Sequence, residues 1–529
     1  MNKASLYLSA AAISCIAFNV SAETYQFHEK QYRQDVQTLS STKFAGRAPL
    51  SPQEKLTTDY LVNAYKNIGL LPGYKGKYLQ PVPMAKITTD QNMSLNIGDQ
   101  SFTNMTQFTA RTERLSDQID LSNSDVVFCG YGINAPEYHW NDYQGVDVKG
   151  KTVIVLVNDP GFATQDPNLF TGNAMTYYGR WTYKFEEAAR QGAKAVFVVH
   201  ETAPAGYGWD VVQNSVGGTQ LSLVDADNNN DTVAVMGWLQ HDTAQKIFTE
   251  AGYDFDKLKQ TAISRQFKPI DLKLQANLTL NNHVEQSTSY NVIAKLPAST
   301  QTNESILVHA HWDHLGQKVD SNGTVHTFHG AVDNASGDAG VMDLARNLKA
   351  QADKAPFKRN IIFADFTGEE AGLIGAKQFA QNPSVSTKDL VAMVNIDGMN
   401  TNKAQDYVLD YGKGLSTLDN YLADAAQAQG RTVKPDPNPQ TGLYFRSDHF
   451  ALAQVGVPSL LFMGLGDPDY VKYRYHKEAD QYEVSWDLGA AQQDLALMSS
   501  IIAKLANNND WPKWTKNSAF KKRRAEDGR

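Results

Sequence analysis

An α/β fold, with a mixed and largely parallel central sheet flanked by helices and a β-rich inserted domain, is what this 529-residue chain predicts. Three observations carry that expectation. Four nearly continuous apolar runs, Ser305 to Ala310, Asn360 to Phe366, Leu390 to Ile396 and Pro458 to Phe462, read as strands covered on both faces. Helical stretches fall between and after them, near Ala339 to Ala352, Ala371 to Asn382, Leu415 to Gln429 and Trp486 to Ala506. Each of the first three runs leads directly into acidic or imidazole residues, at the strand ends where open α/β sheets place their sites.

The length calls for two or three domains, and a hydrophobic content of 42% is ample to build them. Residues 1–22 carry Lys3, an apolar run from Ala4 to Phe18 and the small-residue site Val20-Ser21-Ala22, the pattern of a signal removed on export. Periplasmic or extracellular localisation follows. Cys15 lies inside the apolar run, where Ala12-Ile13-Ser14 is a poor lipid-attachment site, so Cys129 is left as a single thiol in an apparent strand, read as a small buried hydrophobe. Loss of Lys3 takes the net charge of −8 to −9, which argues against nucleic acid or an anionic membrane as partner. Stable membrane insertion is not expected, and oligomeric state stays open.

Residues 23–115 are expected to be a helical segment packed on the C-terminal domain, with Leu56, Tyr60, Leu61, Ala64 and Tyr65 at near-helical spacing and a break from Gly69. Residues 116–282 change to short β-rich runs, Val126 to Tyr131, Thr152 to Val157 and Ala195 to Val199, with a helix from Phe185 to Gln191. Within them Asp225-x-Asp227-x-Asn229 opens like a calcium loop but has Asn230 where Gly is needed and Met236 where Glu is needed, so it reads as a solvated turn. Residues 283–508 hold the strand and helix alternation, and 509–529 read as a polar tail whose Lys521-Lys522-Arg523-Arg524 cluster is solvated and frayed.

The chemistry lies in His311-x-Asp313, Asp333, Glu369-Glu370, Asp397 and His476. Hard carboxylates mixed with borderline imidazoles suit two Zn2+ ions held close together, with one carboxylate bridging them and another free as a base. A rival reading takes His309-Ala310-His311-Trp312-Asp313-His314 as the H-x-H-x-D-H ligand run of a metallo-β-lactamase fold. That reading explains neither Asp333-Asn334-Ala335-Ser336-Gly337 nor Gly368-Glu369-Glu370-Ala371-Gly372, and it predicts a β-rich core around the motif.

Six phrases in order closely resemble the co-catalytic two-zinc aminopeptidase family that includes bacterial leucyl aminopeptidases, plasma glutamate carboxypeptidase and the glutaminyl cyclases. They are His309 to Gly316, Gly330 to Gly337, Thr367 to Leu373, Asn395 to Met399, Ser447-Asp448-His449 and Tyr475-His476. The resemblance implies a zinc-peptidase sandwich in which Asp333 bridges, His311 and Asp397 complete one zinc, and Glu370 and His476 complete the other. It implies that Asp313 accepts a hydrogen bond from His311, and that Glu369 is the general base for attack by a zinc-bound water. It also implies a tyrosine donor for the oxyanion, for which Tyr444 and Tyr475 are candidates. His314 and His449 are read as hydrogen-bonded structural histidines, and His326 and His329 as solvent or rim residues. Residues 147–155 and 184–196 resemble the protease-associated domain, a non-catalytic insert of exported peptidases.

The expected function is an exported dinuclear-zinc metallopeptidase that removes N-terminal residues from peptides. A metallo-carboxypeptidase or dipeptidase on the same scaffold stays open because Arg446, beside Ser447, could receive a substrate carboxylate. The 79-residue spacing from Asp397 to His476 leaves little room for the extra domain of dimerising two-zinc carboxypeptidases. A glutaminyl cyclase would use one zinc, and a non-catalytic binding protein would be expected to have lost ligands or base.

Overall fold

The computed structural model describes residues 25–516 and 518–526; the expected export signal and Cys15 lie outside them. The apolar runs form strands Ser305–His311, Asn360–Phe366, Leu390–Asp397 and Ser459–Met463, three of them buried at every residue. They pair in parallel, in the order Ser459–Met463, Leu390–Asp397, Ser305–His311, Asn360–Phe366. Double burial explains the unbroken hydrophobicity. Ile306, Val308 and Ala310 face a core shared with helices Gly337–Lys354 and Gly489–Asn507. Leu307, with Ile362 and Ala364 of its neighbour, faces a second core under helices Ile374–Gln381 and His449–Gln454. Each large side chain so buried contributes roughly 1.5–3 kcal/mol, and all four strand C-termini emerge on one edge.

The fifth strand, Ile270–Leu296, is antiparallel to Asn360–Phe366 and runs 27 residues through both halves of the molecule. Its first half pairs with Gln118–Phe128. That strand starts the insert's own sheet, which continues through Thr152–Leu156, Ala195–His200, Val235–Gln240 and Phe108–Arg111. The second half pairs with Leu79–Thr89. The boundary expected between residues 282 and 283 therefore falls inside one strand. The polar alternation around Asn282 to Ser289 resembles a linker, but here it marks a two-sided ribbon whose backbone is hydrogen-bonded while its side chains meet water. Cys129 follows Gln118–Phe128 as a buried free thiol, its pKa pushed up by burial.

Near the N-terminus, helices Glu29–Leu39 and Glu54–Ile68 bury Tyr32, Val36, Leu39, Leu61 and Tyr65 in the first core. Gly69, at φ +87°, takes the left-handed position that ends the second helix. Beyond it the chain departs from the expected helical segment. Strands Leu79–Thr89, Ser94–Ile97, Gln100–Thr103 and Phe108–Arg111 follow, because the apolar residues there alternate with period two.

The C-terminal tail is also unlike the expectation. Trp514 and Phe520 are buried in the second core, and helix Lys521–Glu526 lies against Gly456 so closely that a Cβ there would sit 2.9 Å from the Arg524 nitrogen. Arg524, only 3% exposed, donates to Leu390 O at 2.7 Å and Thr387 O at 3.3 Å, capping the start of the strand that ends at Asp397. Two aromatic anchors outweigh the solubility of four cations. Among the described residues no helix is long and apolar enough to cross a membrane. Trp514→Ala should destabilise the protein by about 3–5 kcal/mol in urea denaturation, whereas a tail free in solvent would leave the midpoint unchanged.

Candidate metal centre

The strand ends deliver the site. His311 closes Ser305–His311, Glu369 and Glu370 follow Asn360–Phe366 by a tight turn at Gly368, and Asp397 closes Leu390–Asp397. Asp333 sits in the irregular turn Ala331–Ser336 before helix Gly337–Lys354, and its peptide bond to Asn334 is cis. Gly330, at φ +58°, starts that turn where a Cβ would come within 2.6 Å of the His314 ring. The motif's polar residues tie this turn down. Asn334 donates to Ile396 O at 2.9 Å while its own oxygen accepts from Gly398 N at 2.8 Å, and Ser336 Oγ accepts from Met399 N at 2.8 Å. The Asp333 turn is thereby locked to the strand end that carries Asp397.

Asp333 faces two imidazoles from opposite sides. Its Oδ1 is 3.3 Å from His311 Nε2 and its Oδ2 is 3.2 Å from His476 Nε2. Asp397 Oδ1 is 3.4 Å from the same His311 nitrogen, and Glu370 Oε2 is 3.1 Å from that of His476. Glu369 stands slightly apart, 4.0 Å from His311 Nε2. All five residues expected to hold metal are thus brought together. Donor atoms form two adjacent groups, each within 4.8 Å: His311, Glu369 and Asp397, and His314, Asp333 and Glu370.

Neighbours differ from the sequence expectation in two places. His311 Nδ1 points at the backbone carbonyl of Asp313, 3.1 Å away, and its carboxylate Oδ1 is 3.8 Å off. That carboxylate instead accepts the Glu369 N–H at 3.1 Å, which ties it to the turn that follows Asn360–Phe366. Tyr444 is turned out of the centre. Its ring packs 4.5 Å from His449 and its hydroxyl donates to Ser459 O at 3.2 Å, since Tyr444 belongs to the second core. Tyr475 remains at the centre, stacked 3.9 Å from His476.

The other histidines divide by location. His314 Nδ1 is 2.7 Å from Glu370 Oε1. His309, fully buried against Phe366, faces Asp448 at 3.0 Å outside hydrogen-bond geometry. His449 lies beside Asn395, its pKa lowered to about 3 by burial. At the rim, His326 meets Glu478 at 2.8 Å and His329 meets Ser40 O at 2.8 Å. Asp225, Asp227 and Asp231 cluster on the surface of the insert, in a turn where Asp225 accepts from Asp227 and Asn229 N–H groups.

Electrostatics favours a cation here. Burial, with the charges of Asp397, Asp448 and Glu370, holds Glu369 well above the usual carboxylate range against the pull of His311. Burial would raise Glu370 too, but the charge of His476 brings it to about 2. His311 and His476 are raised well above normal, burial being overcome by the facing carboxylates. Asp333 Oδ1 is buried without a hydrogen-bond partner. Four carboxylates around two imidazoles, with an orphaned oxygen between them, are a fitting donor set for divalent metal.

Two supports carry no sequence signal of their own. Asp480 accepts the N–H groups of Val332 at 2.9 Å and Asp333 at 3.1 Å, and the Tyr470 hydroxyl at 3.2 Å. Arg47, with no exposed surface, donates to the carbonyls of Leu39, Trp312, His329 and Gly330. It stitches the N-terminal segment to the loops bearing His311 and Asp333. Beside Asp397 a small hollow is lined by Met399, Leu409, Phe462 and Met463 and by the ion-paired Arg431 and Asp494.

Residues 291–500 match the profile of "Peptidase family M28". Over 120 residues the chain is 36% identical to a "Probable zinc metalloprotease" of Pyrenophora teres f. teres, which is 22% of this chain and 24% of that protein. Over 137 residues it is 31% identical to a "Probable leucine aminopeptidase" of Trichophyton verrucosum, 25% of this chain and 35% of that protein. The matched stretches span about a quarter to a third of those relatives' length. Among solved structures, an aminopeptidase from Aneurinibacillus sp. strain AM-1 superposes with a TM-score of 0.51 over 91% of this chain and 95% of that one, at 21% identity. That is a likeness of fold. For the support of Asp333, Asp480→Ala should weaken metal affinity about 10- to 100-fold, read by competition with a chelator; unchanged affinity would make Asp480 incidental.

Proposed function

We propose, from the premise that residues 291–500 are a peptidase family M28 domain, that this chain is an exported two-zinc aminopeptidase that removes N-terminal residues from peptides. The observation that carries the reading is the placement of Asp333, one oxygen toward His311 and the other toward His476, with Glu369 beside them. His311 and Asp397 would hold one zinc, Glu370 and His476 the other, and Asp333 both. Zinc bound there supplies Lewis acidity and lowers the pKa of water to about 7.

The chain's own residues do the rest. Glu369 takes the proton of the attacking water and passes it to the leaving amine, positioned for both by its N–H on Asp313. Tyr475 supplies the oxyanion donor. Burial and the charges of Asp333, Glu370, Asp397 and Glu369 keep its hydroxyl protonated, and its ring is stacked 3.9 Å from His476. The surplus of carboxylates suits a free amine terminus.

The insert would act as a protease-associated domain packed on the C-terminal domain, its Tyr177 lying 5.2 Å from Phe450 of helix His449–Gln454. Export rests on the N-terminal pattern of residues 1–22.

Glu369→Gln should retain zinc and lower kcat about 10²-fold or more; near-normal turnover would remove Glu369 from the role of base. Asp333→Ala should lose metal, measured by elemental analysis of the purified protein, and normal zinc content would refute the bridge. Cleavage of N-blocked peptides would contradict an aminopeptidase.

A further inference from the structure

Residues 175–180 lie along residues 439–454 of the C-terminal domain, while Tyr178 stays buried in the core of the insert. Met175 N–H donates to Pro439 O at 3.0 Å, and its sulfur sits over Gly442, where a Cβ would come within 2.7 Å. The Tyr177 hydroxyl, bonded to Glu186, also accepts from Gln454 Nε2 at 3.1 Å. The seam holds Arg180 of the insert, 8% exposed, three residues beyond Tyr177, and half-buried Arg446, four residues before Phe450, the ring partner of Tyr177, so that each feels the other's side of the joint. The Nε atom of each is buried with no acceptor, and among the described residues neither guanidinium has a carboxylate oxygen within 4.0 Å.

Their surroundings do not neutralise them. Burial first, and then the charge of Arg446, pulls Arg180 down to about 9, with Tyr207 opposing weakly. Half-buried Asp436 feels Arg446 without pairing to it. Two cations taken out of water side by side are disfavoured until an anion joins them. Planar guanidinium forks match a carboxylate's two oxygens. The loop that carries Arg446 also borders the metal centre, since Ser447 Oγ accepts from Asn395 at 2.7 Å and Asp448 lies 3.0 Å from His309, Asn395 and His309 each standing two residues before Asp397 and His311.

We propose that Arg180 and Arg446 form a carboxylate-binding site, half from the insert and half from the C-terminal domain, that receives the C-terminal carboxylate of a short peptide whose first residue occupies the metal centre. The inference rests on the aminopeptidase reading above and narrows its substrates to short peptides with a free carboxylate. It also assigns the insert a part in substrate selection.

Three substrates test it: Leu-Gly-Gly, its C-terminal amide, and leucine p-nitroanilide. The unsubstituted protein should show a KM for the free acid about tenfold below that for the amide. Arg180→Gln and Arg446→Gln should each bring the two values together by raising that of the acid, and Arg446→Lys should keep part of the difference. Equal KM values in the unsubstituted protein, or variants that raise both alike, would overturn the arginine site. Turnover of the p-nitroanilide in that case leaves the aminopeptidase reading standing. Failure to hydrolyse any of the three would overturn that reading and the inference with it.

Discussion

Four carboxylates, those of Asp333, Glu369, Glu370 and Asp397, share a volume nearly closed to water, and their mutual repulsion is the constraint from which the surrounding structure follows. Two unit charges 4 Å apart repel by about 4 kcal/mol at an effective dielectric of about 20. The imidazoles of His311, His314 and His476 offset the charge on Glu370 but leave Glu369 well above the usual carboxylate range, so a divalent cation is the natural complement. Until it binds, the cluster must be held together by force. The strand ends provide three of the anchors, and Asn334, Ser336 and Asp480 provide the fourth by fixing the turn that carries Asp333.

The same demand explains why remote parts of the chain matter to the centre. Arg47, from the N-terminal segment, satisfies carbonyls in the loops on either side of His311 and Asp333 and adds a buried positive charge that Asp338, Asp480, Asp333 and Asp313 all feel. The tail, through Arg524 on Leu390, anchors the far end of the strand that presents Asp397. The insert is not a separate bead on a linker, because strand Ile270–Leu296 belongs to both sheets. Motions of the insert relative to the C-terminal domain are restrained by that strand and by the Tyr177 contact.

The parts legible in the sequence were those written in local pattern. Doubly covered strands show as unbroken apolar runs, and each of Ser305–His311, Asn360–Phe366 and Leu390–Asp397 appears within a residue of its expected span. The residues at their ends could be gathered into one centre for the same reason. Long-range partners left no such trace. Asp480 is an ordinary acidic residue until the fold carries it to the Val332 and Asp333 amides, and nothing in the residues around Arg47 marks the distant carbonyls it serves. Tyr444 and Tyr475 are each near a motif, and only packing separates the one bonded to Ser459 O from the one stacked on His476. Composition misled in the tail, where four cations drew attention from Trp514 and Phe520.

On the proposed reading, this carboxylate cluster is built around two zinc ions shared by Asp333. The most direct measurement is a zinc titration of the metal-stripped protein, following turnover of an aminoacyl reporter against zinc bound per chain. Turnover should be absent without metal and reach a plateau at two equivalents. Full turnover at one equivalent, or any sustained turnover with none, would contradict it.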